Sequence, residues 1–279
     1  MRLGVHAFLW ARDYSTEALT TAIREAARAK VDFIEIPILH PEEINITALR
    51  LALLKHGLPC TCSTVLPPTT SLEDLRKAEE FLLQVIEVVA YLESPILTGV
   101  IYSKLGESTP PTIKVLNEIA SMLKRVARVA AVKDVHLGIE PVNRYETSIL
   151  NTAEQALKII EAISEPNVFL HLDTYHMNIE EQEFRQPILK AGKHLRYVHL
   201  SESHRGKPGT GTVQWEDVFS ALANAGFDGD MAFESFIAPN PSLSQATRIW
   251  RSSPVPAEEI AHEGLMFFRE MARKYGLML

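Results

Sequence analysis

The sequence predicts a single (β/α)8 TIM barrel, and three observations lead to this fold class. The chain has 279 residues, close to the length of about 250 that is typical of such barrels. Eight short apolar runs alternate with longer segments whose apolar residues recur at helical spacing. No low-complexity tract or Gly/Ser linker interrupts the chain, so residues 1–279 are interpreted as one domain. With fewer units the sheet would stay open and doubly wound, which is the structural alternative.

The apolar runs give eight candidate strands. In chain order they are Leu3–Phe8, Phe33–Pro37, Pro59–Val65, Ile96–Ile101, Val135–Glu140, Val168–Asp173, Leu195–His199 and Met231–Glu234. Strands that alternate with helices form right-handed parallel βαβ units. In a closed barrel every strand then ends at the same rim, where active sites of this fold are built.

Side chains that cap helices mark several of the predicted helix starts. These signals are Ser15, the pair Ser71 and Asp74, and the pair Asn151 and Glu154. A hydroxyl, amide or carboxylate at such a position accepts hydrogen bonds from the free N–H groups of the first turn. The stretch Ala238–Pro256, after the eighth strand, is predicted to be irregular and to cover the rim.

The charge and cysteine content exclude several classes of partner. The chain has 28 basic and 35 acidic residues, a net charge of −7, which disfavours nucleic acids and anionic membranes because both attract basic surfaces. No apolar run is long enough to cross a membrane, and the N-terminus lacks a signal-peptide pattern. Cys60 and Cys62 are one residue apart, where a disulfide would be strained. We therefore expect a reduced, cytoplasmic protein.

Four ionisable side chains stand at the ends of four consecutive candidate strands. They are Glu140, Asp173, His199 and Glu234, separated by 33, 26 and 35 residues. Each separation is about one βα unit, so the barrel would bring the four together at its C-terminal mouth. Three carboxylates that close would raise one another's pKa values unless a cation lay between them. The pattern therefore predicts a metal site.

The donor types of this set indicate the kind of ion. Carboxylates with one imidazole and no thiolate favour a fairly hard divalent cation, Mn²⁺, Mg²⁺ or Co²⁺, over a structural Zn²⁺. His171 shares the strand parity of Asp173 and also points inward. A buried histidine satisfied by a neighbouring strand is the favoured interpretation of His171, with a fifth metal ligand as the alternative.

Four segments near these residues carry a family resemblance. They are EPVNRYE (140–146), LDTYHMNIEE (172–181), HLSESHRGKPGTGTVQW (199–215) and FESF (233–236). They resemble the D-tagatose 3-epimerase and D-psicose (allulose) 3-epimerase family, within the xylose-isomerase-like TIM barrel superfamily. The match is close after about residue 135 and weaker before it.

The resemblance implies roles for individual residues. It implies that the four strand-end residues bind the metal, with Mn²⁺ first and Co²⁺ or Mg²⁺ as alternatives, and that Glu140 and Glu234 form the acid/base pair. It places the O1–O3 end of a ketose against Glu146, His176 and Arg205, with Trp10 as an aromatic wall. His6 and Ser63 stand where relatives carry an aromatic residue and, in one case, a cysteine. Both are expected to border the distal part of the sugar.

The function implied is that of a metal-dependent ketose 3-epimerase. Such an enzyme interconverts free ketoses of the D-fructose/D-psicose or D-tagatose/D-sorbose type by proton transfer at C3, and its relatives are often homo-dimers or tetramers. The alternative is an aldose–ketose or hydroxypyruvate-type isomerase of the same superfamily. A phosphodiesterase like the barrel AP endonucleases is disfavoured by the acidic charge balance. A barrel that binds sugar or metal without turnover is the remaining possibility.

Overall fold

Eight parallel strands close into a barrel in the computed structural model, which describes residues 1–236, 244 and 247–279. The strands pair in sequence order, and β1 pairs with β8 to close the sheet. They are β1 Arg2–His6, β2 Ile34–Pro37, β3 Cys60–Leu66, β4 Ile96–Lys104, β5 His136–Ile139, β6 Val168–Asp173, β7 Leu195–Leu200 and β8 Asp230–Phe233. The predicted barrel is confirmed.

The helices pack around the outside of the sheet. In chain order they are α1 Thr16–Arg28, α2 Ile46–His56, α3 Arg76–Tyr91, α4 Ile113–Val132, α5 Ala153–Ile163, α6 Thr174–Glu180, α7 Arg185–Ala191, α8 Trp215–Asn224 and α9 Ala257–Lys274. Two short 3-10 turns, Ala7–Leu9 and Gly192–His194, complete the pattern. The buried faces of the long helices carry the predicted apolar stripes, such as Leu19, Ala22, Ile23 and Ala26 of α1.

One of the three predicted cap signals lies where it was expected. The Ser15 hydroxyl accepts a hydrogen bond from the Ala18 N–H and caps α1. The Ser71–Asp74 prediction was wrong, because α3 begins only at Arg76. There the Asp74 carboxylate binds the side chain and the N–H of Arg76 instead. The Asp74 carboxylate thus accepts the free N–H of Arg76 at the actual start of the helix.

The cap of α5 is displaced by one residue from its predicted position. Thr152 with Gln155 forms the capping box, rather than Asn151 with Glu154. The Asn151 amide is committed elsewhere, because it donates to the carbonyl oxygens of Val142 and Thr147 in the loop that follows β5. The Asn151 side chain is turned toward this loop, and the Thr152 hydroxyl accepts from the Gln155 N–H and caps the helix in its place.

Aromatic rings fill the lower half of the barrel interior. Phe33, Phe169 and Tyr197 form a buried cluster inside the sheet. Gly4 and Gly138 lie against these rings, and a methyl group on either glycine would come within 2.5 to 2.8 Å of Phe33 or Phe169. Because this layer is packed solid, polar side chains that point into the barrel above it are held at the C-terminal mouth.

Two further expectations concern the surface and the segment after β8. The predicted irregular stretch 238–256 lies partly outside the described residues. Of its described residues, 244 and 247 are helical, contrary to the prediction, and 248–256 contain no helix or strand. None of the helices in the described part of the chain is long and apolar enough to cross a membrane. Cys60 and Cys62 are buried free thiols.

Candidate active site

The four strand-end residues meet at the C-terminal mouth of the barrel. Glu140 directly follows β5, Asp173 ends β6, His199 lies in β7, and Glu234 directly follows β8. Asp173 and His199 are direct partners in the register of the sheet. All four are at least nine-tenths buried, so their charges interact at short range with little screening by water.

The ligand atoms of this group lie close enough to surround one cation. His199 Nδ1 is 3.7 Å from Glu140 Oε1 and 3.7 Å from Glu234 Oε1. One donor atom each from Asp173, His199 and Glu234 lies within 4.8 Å of the others. Three buried atoms, His199 Nδ1, Asp173 Oδ2 and Glu234 Oε2, have no hydrogen-bond partner among the described residues. Unpaired buried lone pairs that converge on one point are what a divalent ion would satisfy.

Electrostatics at the mouth reflect this crowding of carboxylates. Burial raises the pKa of Glu140 well above its usual value, with the charge of Asp173 adding to the effect. Burial, followed by repulsion from Glu234, raises the pKa of Asp173 to about 7. Burial opposes the charged form of His199 as well, but Glu35 and the site carboxylates raise its pKa well above the usual value. When no cation lies among these carboxylates, the raised pKa values favour protonation of Glu140 and Asp173, which lowers the repulsion between them.

Arg205 supplies a fixed positive charge on one wall of the site. Its guanidinium lies 3.5 Å from Glu146 and 3.5 Å from Glu234. It is stacked between the rings of Tyr175 and Phe236, at 4.1 and 4.8 Å from their centroids. Its backbone has a φ of 54°, a left-handed conformation that costs a non-glycine residue about 1–3 kcal/mol. Stacking and ion pairing hold the side chain in place.

His176 and Glu146 are joined to each other through Asn143. The Asn143 N–H donates to His176 Nδ1 at 3.0 Å, and the Asn143 side-chain amide donates to Glu146 Oε1 at 3.0 Å. Burial, with Arg205 next in order, lowers the pKa of His176 well below its usual value, so the ring is neutral. A neutral ring that accepts at Nδ1 carries its proton on Nε2. In this tautomer Nε2–H lies 3.6 Å from Asp173 Oδ2, whereas Arg205 Nη2, which can only donate, lies 3.2 Å from the same nitrogen and would bind the other tautomer of the ring.

A buried carboxylate, Glu202, organises the loop that carries Arg205. Its two oxygens accept four N–H groups, from Ser203, Gly209, Val213 and the Trp215 indole, at 2.8 to 3.2 Å. Although burial opposes ionisation, these donors hold the pKa of Glu202 below its usual value. Residues 203–215 therefore close around one anionic centre.

Of the three residues expected at the aromatic wall and around the distal sugar atoms, His6 and Ser63 are in contact with each other, and Trp10 lies at the end of the first 3-10 turn. His6 is buried beside the site, with Nε2 at 3.4 Å from both Ser63 Oγ and Glu35 Oε1. Ser63 is half-buried. Trp10 packs against the core at the end of the first 3-10 turn, and its buried Nε1 finds no acceptor in the described ranges. The ring that links β1 to the site wall is Phe8, which contacts His6 and Phe236 at 4.5 and 5.4 Å between centroids.

His171 lies one layer below the mouth. Its Nδ1 is 2.8 Å from the Thr98 hydroxyl on β4 and 3.6 Å from Glu140 Oε2. Its ring meets that of His199 edge-on at 4.2 Å, and burial, with His199 next in order, lowers its pKa well below the usual value. The bond to Thr98 satisfies one ring nitrogen, whereas the buried Nε2 has no hydrogen-bond partner among the described residues, and His171 forms a candidate ligand group with Glu140 and His199. The short approach to Glu140 keeps the alternative of a ligand open.

Sequence reasoning missed Glu35, Glu202, Tyr175 and Phe236. Glu35 is a fully buried carboxylate in the middle of β2, and its Oε2 accepts hydrogen bonds from His199 Nε2 and the Tyr197 hydroxyl, both at 2.7 Å. Its signal was available, because an acidic residue inside the apolar run FIEIP has to face either a partner or a cavity. The contacts of the two aromatic rings with Arg205 are tertiary and have no such signal.

Comparison with known proteins identifies the family. The profile of the xylose isomerase-like TIM barrels matches residues 23–271. The chain belongs to this family. Within it, the chain is 37% identical over 278 residues to a ketose 3-epimerase of Arthrobacter globiformis, covering 97% of this chain and 96% of the relative. It is also 37% identical to an L-ribulose 3-epimerase of a Methylomonas species, covering 97% of both chains.

Solved structures give the same family assignment. The crystal structure of a Methylomonas D-allulose 3-epimerase in complex with D-allulose has a TM-score of 0.93 to this chain. That protein is 36% identical to this chain, and the match covers 97% of both. A structure of an L-ribulose 3-epimerase has a TM-score of 0.92 and 32% identity. The expected resemblance to ketose 3-epimerases, and with it the isomerase class, is confirmed.

Proposed function

We propose that this member of the family is a divalent-metal-dependent ketose 3-epimerase that acts on free ketoses of the D-fructose/D-psicose or D-tagatose/D-sorbose type. The observation that carries the proposal is the convergence of two glutamates, Glu140 and Glu234, on the His199 Nδ1 atom, each at 3.7 Å. The named activities of the relatives, ketose and L-ribulose 3-epimerisation, support the reaction class.

The residues at the mouth fit a bound cation. Glu140, Asp173, His199 and Glu234 would hold it, since their donor atoms converge and three of them lack a hydrogen-bond partner in the described part of the chain. Oxygen-rich donors with one imidazole favour Mn²⁺, with Co²⁺ or Mg²⁺ as alternatives. When bound, the ion supplies Lewis-acid stabilisation of the negative charge that develops on the ketose oxygens.

The two glutamates would perform the proton transfer at C3. Inverting a carbon next to a carbonyl requires removal of its proton from one face and return of a proton to the other. One of Glu140 and Glu234 accepts the proton while the other donates one, and the reverse reaction exchanges their roles. Positioned proton transfer of this kind contributes about 10²–10⁴-fold to the rate. Both carboxylates come directly after β-strands, which keeps them rigid.

The remaining polar residues would bind the O1–O3 end of the sugar through hydrogen bonds. Arg205 supplies N–H donors, the neutral His176 ring supplies a nitrogen that donates or accepts according to its tautomer, and Glu146 supplies an acceptor. Because each is already bonded to a neighbour, none has to be ordered when substrate binds, which lowers the entropic cost of binding. His6, Ser63 and Trp10 remain proposed neighbours of the distal sugar atoms.

Incubation with each of four ketoses in D₂O with Mn²⁺ tests the proposal. Fructose, psicose, tagatose and ribulose are supplied separately, and products are analysed for deuterium position and stereochemistry. We expect one deuterium at C3 and a 3-epimer product. Glu140→Gln and Glu234→Gln should each lower the rate by about 10²-fold or more. The matched control is Glu118→Gln, a substitution of the same type on the exposed face of α4, which should retain full activity.

Three results would contradict parts of the proposal. Deuterium at C1 with an aldose product would indicate an aldose–ketose isomerase instead. Full activity after exhaustive chelation would exclude the metal. Unchanged rates in both glutamine variants would mean that the barrel does not use this pair for proton transfer.

We further propose that the protein is cytoplasmic and forms a homo-oligomer, a dimer or tetramer. The free thiols of Cys60 and Cys62 support a reducing compartment. Several apolar side chains on the outer helices are exposed, among them Leu51 and Leu54 of α2 and Ile113 of α4. They are candidates for burial between subunits. Light scattering of the purified chain measures the subunit number directly.

A further inference from the structure

Glu35 is a buried carboxylate that the proposed reaction leaves without a role. It lies in the centre of β2, is fully inaccessible to solvent, and points into the barrel below the cation site. A buried charge is costly unless charged or hydrogen-bonding partners compensate for it. Its partners therefore indicate what the charge is there to do.

The partners of Glu35 belong to the wall that carries His199. Glu35 Oε2 accepts from His199 Nε2 at 2.7 Å and from the Tyr197 hydroxyl at 2.7 Å. The Tyr197 oxygen lies 2.8 Å from the Thr61 hydroxyl, which can donate to it. His6 Nε2 approaches the other carboxylate oxygen at 3.4 Å. A chain of hydroxyl groups thus fixes the carboxylate, and the carboxylate fixes the imidazole.

This bond determines which nitrogen of His199 is available to a ligand. Because Nε2–H donates to Glu35, Nδ1 is the nitrogen that offers its lone pair when the ring gives up its second proton to a bound cation. Nδ1 is the atom that lies 3.7 Å from both Glu140 and Glu234, and it has no other partner in the described ranges. A carboxylate behind a histidine ligand orients its ring and makes the metal-binding nitrogen more basic.

We propose that Glu35 is a positioning residue for the cation site, acting through His199 to hold Nδ1 toward the ion and to strengthen ion binding. The inference rests on the metal dependence in the proposed function. It assigns Glu35 no contact with the sugar, because the carboxylate is fully buried and its partners are the side chains of His199, Tyr197 and His6. Loss of the Glu35 charge should therefore weaken cation binding by about 10- to 100-fold, whether or not any sugar is present.

Titration of the metal-stripped full-length protein with Mn²⁺, by calorimetry and without sugar, tests this inference. Glu35→Gln keeps the size and one acceptor oxygen but removes the charge, and it should bind Mn²⁺ about 10- to 100-fold more weakly than the wild type. Tyr197→Phe removes only the hydroxyl that holds Glu35 and should give a smaller but measurable loss. Glu118→Gln on α4 is the matched surface control and should bind as the wild type does.

Circular dichroism and thermal melting of the metal-free variants separate folding from binding. A folded Glu35→Gln protein that binds Mn²⁺ within twofold of the wild type overturns the inference. If Glu35→Gln does not fold, Tyr197→Phe decides in its place, and wild-type affinity in that variant overturns the inference. Wild-type protein that binds no Mn²⁺ would overturn it as well.

The outcome is distinguishable from failure of the proposed function. If the wild type binds Mn²⁺ and the variants weaken binding, yet no ketose exchanges deuterium at C3, the positioning role stands and the epimerase proposal fails. If C3 exchange is observed and Glu35→Gln binds Mn²⁺ as tightly as the wild type, the epimerase stands and the positioning role fails.

Discussion

Replacing Glu202 with glutamine should loosen the loop that carries Arg205. In the wild type, Glu202 Oε1 accepts from the Ser203 and Val213 N–H groups, and Oε2 accepts from the Gly209 N–H and the Trp215 indole. Glutamine has one acceptor oxygen, and its NH₂ group would face two other donors. Two of the four hydrogen bonds are therefore lost in either orientation of the amide.

The expected cost follows from the strength of these bonds. A hydrogen bond to a charged group contributes about 1.5–3 kcal/mol, so the loss of two predicts about 3–6 kcal/mol, with relaxation of the loop favouring the lower end. Trp215→Phe is the matched partial variant. It removes one donor, keeps the ring packing against Phe268, and should cost about half as much.

Urea unfolding of metal-free protein and steady-state kinetics on the preferred ketose measure the two consequences. We expect a lower free energy of unfolding and, since Arg205 would no longer be held in its left-handed backbone conformation, a larger effect on KM than on kcat. Measuring the difference in the free energy of unfolding between wild type and Glu202→Gln at several pH values tests the direction of the effect. The pKa of Glu202 is lowered on folding, so its contribution is present above the ordinary carboxyl range and disappears as pH falls. The difference between wild type and variant should therefore shrink at acid pH.

Near-identical behaviour would refute the reasoning. If Glu202→Gln changes the free energy of unfolding by less than about 1 kcal/mol and leaves KM unaltered, the loop does not depend on this carboxylate. A loss of stability with an unchanged KM would keep the structural role of Glu202 and remove its link to Arg205.

Three further predictions follow from individual contacts. Tyr102→Phe removes the hydroxyl that donates to the Glu140 carbonyl oxygen at 2.9 Å and should cost about 1 kcal/mol in urea unfolding, whereas an unchanged midpoint would contradict it. Gly229→Ala places a methyl group 2.2 Å from the Arg196 carbonyl oxygen and should destabilise the protein by about 1–3 kcal/mol, measured by thermal melting. Because the pKa of Asp173 is raised to about 7, a proton competes with the cation, and Mn²⁺ affinity by calorimetry should be about tenfold lower at pH 6 than at pH 8. By the same linkage, the free energy of unfolding of metal-free protein should fall as pH rises through this range.

The barrel and its four strand-end residues were predictable because both depend on short-range regularities. A strand fixes which side chains point inward by its period of two, and the βα repeat brings each strand end to the same rim. Glu140, Asp173 and Glu234 could be recognised in this way without any knowledge of tertiary contacts. The helix caps were less predictable, because the side chains of Asn151 and Asp74 form hydrogen bonds with other groups a few residues away.

The supporting layer of the site depends on contacts between distant parts of the chain. Glu35 contacts His199 across 164 residues of sequence, and Arg205 lies between Tyr175 of α6 and Phe236 of the segment after β8. Parity shows that Glu35 points inward, but it does not show which of the neighbouring strands supplies its partner. Strand stagger in the closed barrel decides that, and stagger is a property of the whole sheet.

The charges of the described residues give a physical reason for the Arg205 guanidinium to lie beside the proposed cation site. Arg205 lies within 3.8 Å of three carboxylates, those of Glu146, Asp173 and Glu234. In the protein without an ion, it is therefore shared among groups that the proposed function assigns separately to the metal and to the sugar. A divalent ion held by Asp173 and Glu234 would take over their compensation and leave the guanidinium to Glu146 and the substrate. Cation binding and sugar binding then favour one another, because each relieves a charge that the other needs free.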